Sequence, residues 1–517
     1  MSYKEFIWNG KLRKISKSSS INDKLLDLEL PLFVLKNYKN LVVGVAEDGI
    51  ITSEELETTK LICSGIIPKL LPEDLGSSRF LHRFGLKYAY VAGAMYNAIS
   101  SKEMIIELAK NGYLGIYGTK DVEFDQIEND IVKIKSIIPE RIFGCNIVHN
   151  VIEEQFEMKL IKMLLKYKIN ILEVSSFVNI TLPLAYYRIV GIKERIEGGF
   201  VIGNKIMVKV SRVEIAKNFL KPAPEKIIRE LINMSLINER QAKIAKEIPM
   251  ADAITLEDNE NNITQSFSYL VDQRDELYKN SNTKYDVFLG LTGGIGSPVI
   301  ALNMFNNGAD YIVTGTINQC TVESGISDKA KNSLSSCDIS DVISLHFNGD
   351  FNINKKINVL KKGTLFPMRV NKLYNIYNKY KNLKNVDSSD IDKIESQIFK
   401  KSIREILNEV EIYFKKNDPN QLNNDRLYLL IKWYLIISAK LSLEGTSNRE
   451  LDYQILCSNA MGIFNYWVKG SYLENHQNRY VADIAEHMLK GTAYLQRLKL
   501  FNYFGGDEKF NYKLNNN

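Results

Sequence analysis

The chain has 517 residues, more than one typical domain, so two or more units are expected. Apolar residues make up 45% and charged residues 25%, which fits a globular protein with a large core and excludes disordered and fibrous classes. The formal net charge of +6, from 67 basic and 61 acidic residues, is a weak excess spread over a solvated surface, and nucleic acid is not an expected partner.

The N-terminal MSYKEFIWNGKLRK lacks an apolar signal core, and no apolar run is long enough to span a bilayer, so a cytoplasmic location without membrane insertion is expected. Residues 1–80 read as an N-terminal extension, with a strand candidate at Asn40–Val45 and a helix candidate at Ser53–Cys63. From Lys87 onward a strand-then-helix rhythm repeats. Strands are predicted at Tyr88–Ala92, Tyr113–Tyr117, Ile142–Ile147, Ile171–Val174, Ile206–Val210, Ala253–Glu257, Val287–Leu291 and Tyr311–Thr314. Segments of helical period such as Ser101–Lys110 and Glu153–Tyr167 separate them.

Strands alternating with helices imply a parallel sheet. Eight of them over 81–350 predict an α/β fold, a (β/α)8 TIM barrel, with an open doubly wound sheet as the alternative. The interval before Ala253 is too long for one crossover. There Lys221-Pro222-Ala223-Pro224 breaks the chain, and Glu225–Met234 and Asn238–Glu247 read as a helical insertion at about 220–249. A C-terminal all-helical domain is predicted over 351–507, with helices at 367–384, 389–417, 425–443, 451–469 and 478–503, followed by a frayed tail at 508–517. Tyr428, Leu429, Trp433, Tyr434, Tyr453, Phe464 and Trp467 recur there at helical spacing, as core packing requires.

Cys63, Cys145, Cys320, Cys337 and Cys457 are scattered without a CxxC pair, and the five histidines show no ligand spacing, so neither a metal site nor a disulfide framework is expected. The strongest local signal is Gly290-Leu291-Thr292-Gly293-Gly294-Ile295-Gly296-Ser297-Pro298, which follows a strand and opens a helix. Ser297 is placed to cap that helix, and Pro298 suits its first turn. About twenty residues on, Tyr311–Thr314 leads into Gly315-Thr316. Glycines expose backbone N–H groups, a helix N-terminus favours an anion, and barrels of this kind hold phosphate after strands seven and eight. Two tight turns without a ligand are the structural alternative. The run is no dinucleotide fingerprint, because Val299 stands where a third glycine belongs, and it has no Walker lysine. Polar groups at the other strand ends (Asn146, Glu173, Ser175, Lys209, Ser211 and Glu257) converge on the same rim.

These residues resemble the PfaD-type trans-acting enoyl reductases of polyunsaturated fatty acid and trans-acyltransferase polyketide synthases, relatives of the nitronate monooxygenases. The resemblance is carried by Tyr88–Ser100, Val208–Lys226, Pro249–Thr255, Gly293–Pro298, Val313–Gly325, Val359–Arg369 and Asp452–Glu474, and runs from about residue 80 to 500. It implies FMN at the barrel mouth, with phosphate on Gly293, Gly294, Gly315 and Thr316 and the ring near Ala92, Gly93, Ala94 and Asn146, Lys209 lying nearby. It also implies NADPH as hydride donor, an enoyl thioester on an acyl carrier protein as substrate, and a homo-oligomer as a possible assembly. The family's Gly-Gly-His after the sixth strand reads Asn261-Asn262-Ile263 here, and its Phe-Glu-x-Gly reads Phe351-Asn352-Ile353-Asn354. Isoleucine cannot transfer a proton, so the proton would come from solvent or from another group, with Lys209, Glu257 and His149 as candidates. Three readings stay open: a reductase with a rerouted proton, a different flavin reaction, or a catalytically degenerate docking protein of the same assembly line.

Overall fold

The structure, a computed structural model, describes residues 7–9, 11, 15–16, 20–52, 61–149, 154–195, 199–257, 262–279, 285–345 and 357–514. Contacts divide the chain into two compact units, Met1–Gly315 with Arg479–Asn517, and Thr316–Asn478. These differ from the boundaries at about 350 and 507 that the sequence suggests. The strand-to-helix rhythm marks where strands stop but does not show which later helices return to the barrel.

The first unit opens with five short strands, β1 (Ile7–Asn9), β2 (Leu32–Lys36), β3 (Val42–Ala46), β4 (Ile50–Thr52) and β5 (Ile62–Ile67). They form an antiparallel sheet in the order β3-β2-β5-β1-β4. Of the helix expected at Ser53–Cys63, residues 53–60 lie outside the described residues, and Ile62 and Cys63 belong to β5 instead. Leu32, Val34, Val45 and Ile67 of this sheet bury against Tyr494, Leu495, Leu498 and Phe501 of the helix Val481–Tyr503. Arg497, wholly buried on that helix, donates to the carbonyls of Leu30 (2.9 Å) and Pro68 (3.1 Å), so its charge satisfies otherwise orphaned backbone.

Eight parallel strands then close a barrel: β6 (Tyr90–Ala92), β7 (Leu114–Tyr117), β8 (Gly144–Val148), β9 (Ile171–Ser175), and, after the hairpin β10 (Ile192–Glu194) and β11 (Phe200–Ile202), β12 (Lys205–Val210), β13 (Ala253–Glu257), β14 (Phe288–Thr292) and β15 (Tyr311–Thr314). All eight segments predicted as strands are barrel strands, because apolar runs of this length bounded by polar residues leave the chain no helical face to bury. The helices Glu225–Asn233 and Glu239–Ala245 fill the long interval before β13.

One end of the barrel is plugged. Phe80 and Phe84, on the helix Ser78–Phe84, pack with Val91, Ile116, Ile171, Met207, Ala253 and Phe288, and Phe80 stacks on the Tyr311 ring at 4.4 Å. At that end Asp252, just before β13 and with no exposure, accepts from Arg188 Nη1 (2.5 Å), from the backbone N–H of Ile206 (2.8 Å) and from the Tyr285 hydroxyl. Arg188 also reaches the carbonyls of Asn204 and Pro249. The N-terminal ends of β12 and β13 are thereby tied together through a buried ion pair.

The second unit is helical, with the antiparallel hairpin β16 (Val342–Leu345) and β17 (Ile357–Leu360). Its core joins Phe366, Val370 and Leu373 of the helix Phe366–Tyr380 to Ile406, Val410 and Phe414 of Ile403–Asn417 and to Leu427, Leu430 and Tyr434 of Arg426–Glu444. Tyr428, Leu429, Tyr453 and Phe464 are buried as core residues. The single helix expected at 389–417 is interrupted. Lys400 adopts a left-handed conformation (φ 58°), and Ser402 restarts the helix through a capping box with Glu405. The helix expected at 451–469 starts only at Asn459, because Ile455 and Cys457 pair their backbones with Leu360 and Asn358 in extended form.

Removing one partner of the buried pair strands a charge in a dry site. Asp252→Ala should lower stability by about 3–5 kcal/mol, whereas Glu411→Ala, which breaks the exposed pair with Lys415, should leave it almost unchanged. Urea denaturation followed by circular dichroism measures both.

Candidate active site

Side chains alternate along a strand, so a residue two positions beyond an inward-facing core residue also points inward, one layer nearer the mouth. Ile171, Met207 and Ala253 belong to the inner core, and their i+2 or i+4 companions are Glu173, Lys209 and Glu257. On β13 the intermediate residue Thr255 meets the Tyr311 hydroxyl at 2.8 Å, which closes the layer below. Ionisable groups therefore gather at the C-terminal ends of the strands, the end at which barrel enzymes carry their chemistry.

Lys209 Nζ lies 3.4 Å from Glu257 Oε1. The Glu257 and Glu173 carboxylates hold its ammonium charged and raise its pKa against the opposing effect of burial. Glu173 is only 6% exposed. Burial pushes its carboxyl up to about 7, opposed by the Lys209 charge and by the backbone N–H donated from Ala94. Of the two carboxyls beside Lys209, Glu257 is the more exposed, at 40%.

The segment after β6 runs alongside Glu173. Gly93 N–H donates to the Thr314 carbonyl (2.9 Å), which continues the pairing of β6 with β15. A methyl group on Gly93 would meet Val313 at 2.9 Å and Glu173 Oε2 at 3.7 Å, so this backbone passes directly beside the carboxyl. Ala92 is buried and Ala94 half-buried. Asn97 and Ala98 then both adopt φ of 52°, a left-handed pair that costs roughly 1–2 kcal/mol per residue. Strain of this kind concentrates at functional loops.

The glycine loops differ from the barrel's packing glycines. A methyl group on Gly290, inside β14, would meet the Tyr311 ring at 2.4 Å. On Gly294 or Gly315 it would meet nothing within 4 Å. Gly293 and Gly294 have φ of 101° and 71°, conformations that favour glycine and expose the backbone. The helix Pro298–Asn306 starts directly beyond them with Pro298 in its first turn. Ser297 occupies the capping position, but its side chain makes no capping bond, a correction to the role expected of it. Thr316, next after Gly315, begins the second unit, where its Oγ1 accepts from Ser458 Oγ at 2.9 Å.

Asn146, buried on β8, accepts at Oδ1 from Thr119 N–H (2.9 Å) and Thr119 Oγ1 (3.1 Å). Its amide nitrogen is thereby the side that can donate toward a ligand. His149, one residue past β8, is held through Nδ1 by Glu157 Oε1 at 2.6 Å, with its ring 4.8 Å from that of Phe177. Glu157, itself buried, also accepts from Thr181. Asn262 is exposed and Ile263 half-buried at the start of the helix Ile263–Lys279. Asn261 and Phe351-Asn352-Ile353-Asn354 lie outside the described residues. In the sequence Glu173 stands out only as one polar strand end among several. Thr119 does not stand out at all, although its place after Gly118, at the end of a predicted strand, is an available signal.

Residues 380–453 match the family model for the inserted helical domain of [acyl-carrier-protein] S-malonyltransferase. The chain is 35% identical over 471 residues to the polyketide biosynthesis protein PksE of Bacillus subtilis, covering 89% of this chain and 61% of that protein. It is 32% identical over 440 residues to the polyketide biosynthesis protein ThaF of Burkholderia thailandensis, covering 83% and 38%. A component of the polyunsaturated fatty acid synthase of Thraustochytrium is 31% identical, with 86% of this chain and 23% of that one covered. The chain thus spans less than two thirds of these relatives. The crystal structure of the enoyl reductase domain of MlnA, from the macrolactin biosynthesis cluster of Bacillus amyloliquefaciens, superposes with a TM-score of 0.79 at 35% identity, covering 83% of this chain and all of that one. No described helix is long and apolar enough to cross a membrane. With the whole of a solved enoyl reductase domain matched at this identity, the chain belongs to the PfaD-type family of trans-acting enoyl reductases.

Proposed function

We propose that this protein is an FMN-dependent oxidoreductase that uses NADPH to reduce the α,β-double bond of enoyl thioesters carried on acyl carrier protein. The observation that carries the reading is the pair of open glycine loops at the barrel mouth, where a methyl group on Gly294 or Gly315 would fill space that no protein atom fills. That is what a phosphate cradle needs: close approach, exposed N–H groups and, from the helix Pro298–Asn306, a favourable N-terminal potential.

Gly293, Gly294 and Gly315, with Thr316 following, would hold the FMN phosphate. Ala92, Gly93 and Ala94 would line the ring, with the Asn146 amide and the Lys209 ammonium as donors to its polar edge. When bound, FMN supplies hydride taken from NADPH to the β-carbon of the enoyl group. The chain's own residues position the groups around it. Thr119 fixes the Asn146 amide, and Glu257 keeps Lys209 charged. A fixed cation near an oxygen on which negative charge develops lowers the barrier without reorganisation. A carrier-bound substrate is supported by the match of residues 380–453 to a helical domain of an enzyme that acts on acyl carrier protein, and by relatives from polyketide and polyunsaturated fatty acid assembly lines.

Ile263 at the family's histidine position favours a second reading, a protein that keeps the fold and docks on its assembly line without turnover. The two separate on one measurement. Purified protein reconstituted with FMN should show flavin absorbance, bleach with NADPH anaerobically, and regain colour when enoyl-carrier protein is added. Carrier binding without that last step supports the docking role, and in that case a large gain in turnover for Ile263→His would mark a degenerate site.

A further outcome isolates the cradle. Gly315→Ala should leave stability unchanged or raise it by about 0.4–1 kcal/mol, because the added methyl meets no protein atom. It should nevertheless weaken FMN binding at least about tenfold, roughly 1.4 kcal/mol. Flavin fluorescence titration and thermal unfolding of the same samples test this.

A further inference from the structure

We propose that Glu173 is the acid that protonates the α-carbon of the substrate, an inference that rests on the reductase reading above. Hydride addition to the β-carbon breaks the C=C π bond and leaves an electron pair shared between the α-carbon and the thioester oxygen. A proton must then reach the α-carbon. The family position for that group is the aliphatic Ile263, so the proton comes from another side chain or from water, and a buried acid at the mouth is the group placed to deliver it.

Among the described residues at the mouth, Glu173 fits best. It points inward from β9, two residues beyond the core residue Ile171. It stands beside the Gly93 backbone, with Oε2 3.7 Å from where a Cβ on Gly93 would lie. Its surroundings are Lys209 from β12, Glu257 from β13, Tyr311 from β15 and the Ala94 N–H from the segment after β6. Two carboxyls share a single ammonium there, and burial disfavours charge on the more enclosed one, so Glu173 is the carboxyl that keeps its proton.

The alternatives are each committed elsewhere. Lys209 serves as the counter-charge of Glu257. Glu257 is the exposed partner of that pair. His149 is held by Glu157.

The Glu173 O–H bond breaks and an α-carbon C–H bond forms. The carboxylate left behind is stabilised by Lys209 and regains a proton from water, and NADPH ends as NADP+. An acid that titrates near neutral pH is matched to this task, because it is both protonated and regenerated at the working pH. The acid must carry its proton to act, so reoxidation by substrate slows as pH rises through about 7.

The test separates the two half-reactions by stopped flow on FMN-loaded protein. In Glu173→Gln, reduction by NADPH should proceed as in the wild type, while reoxidation by an enoyl thioester should slow by about 10²–10⁴-fold and lose its decline above neutral pH. Glu173→Asp should retain a pH-dependent rate at reduced magnitude. Thermal unfolding and flavin stoichiometry establish that the variants fold. A ¹³C NMR titration of the labelled Glu173 carboxyl, made on flavin-free protein, should show a midpoint near 7. Glu173→Gln reoxidising at the wild-type rate with the wild-type pH profile would overturn the assignment and leave the reductase reading intact. A wild type that is bleached by NADPH but never reoxidised by any enoyl thioester would overturn both.

Discussion

A closed barrel of parallel strands has two unequal ends, and its chemistry depends on that inequality. All eight strands enter at one end and leave at the other, so backbone N–H groups and helix N-termini collect where the strands stop. Period-two alternation then decides which side chains join them. Here it places Glu173, Lys209 and Glu257 above a layer made by Thr255 and Tyr311, and that layer rests on Phe80 and Phe84. The stacked aromatic plug closes the entry end, which leaves the mouth as the end where a ligand can enter.

Each end carries charges, and the environments separate their roles. Around Asp252 an arginine, a tyrosine and backbone groups satisfy the carboxylate, with no exposure on either Asp252 or the guanidinium beyond 1%. Such a cluster holds strands together and lies closed off from solvent. Around Lys209 one carboxyl is open to solvent and the other is enclosed, so the proton balance can move. An ion pair that is complete stabilises a fold, and one that is incomplete can do work on a substrate.

The barrel was legible in the sequence because each strand is a short apolar run ended by polar residues, and the period is set by burial on both faces. The glycine loops were legible for the same local reason. The antiparallel sheet of β1–β5 was not, since strands such as Ile7–Asn9 and Ile50–Thr52 are too short to show alternation. The role of Val481–Tyr503 was hidden for a different reason. Its apolar face reads like that of the helices before it, while its partners Leu32, Val45 and Leu302 lie far upstream in the chain. Glu173 was visible as a polar strand end, but its enclosure depends on β12, β13 and the segment after β6 meeting around it, which no local pattern records.

The return of that last helix has a consequence for how the molecule is made. Pro298 on the helix after β14 packs against Gly491, and a side chain there would strike the proline ring at 2.7 Å. The barrel unit is therefore written in two pieces of chain with the entire helical unit between them. On the ribosome all eight barrel strands emerge early, yet the surface that Val481–Tyr503 covers waits exposed until the intervening segment has been synthesised. Completion of the barrel unit is thereby tied to the end of synthesis, and until then its apolar surface lacks the covering that the chain's own last helix supplies.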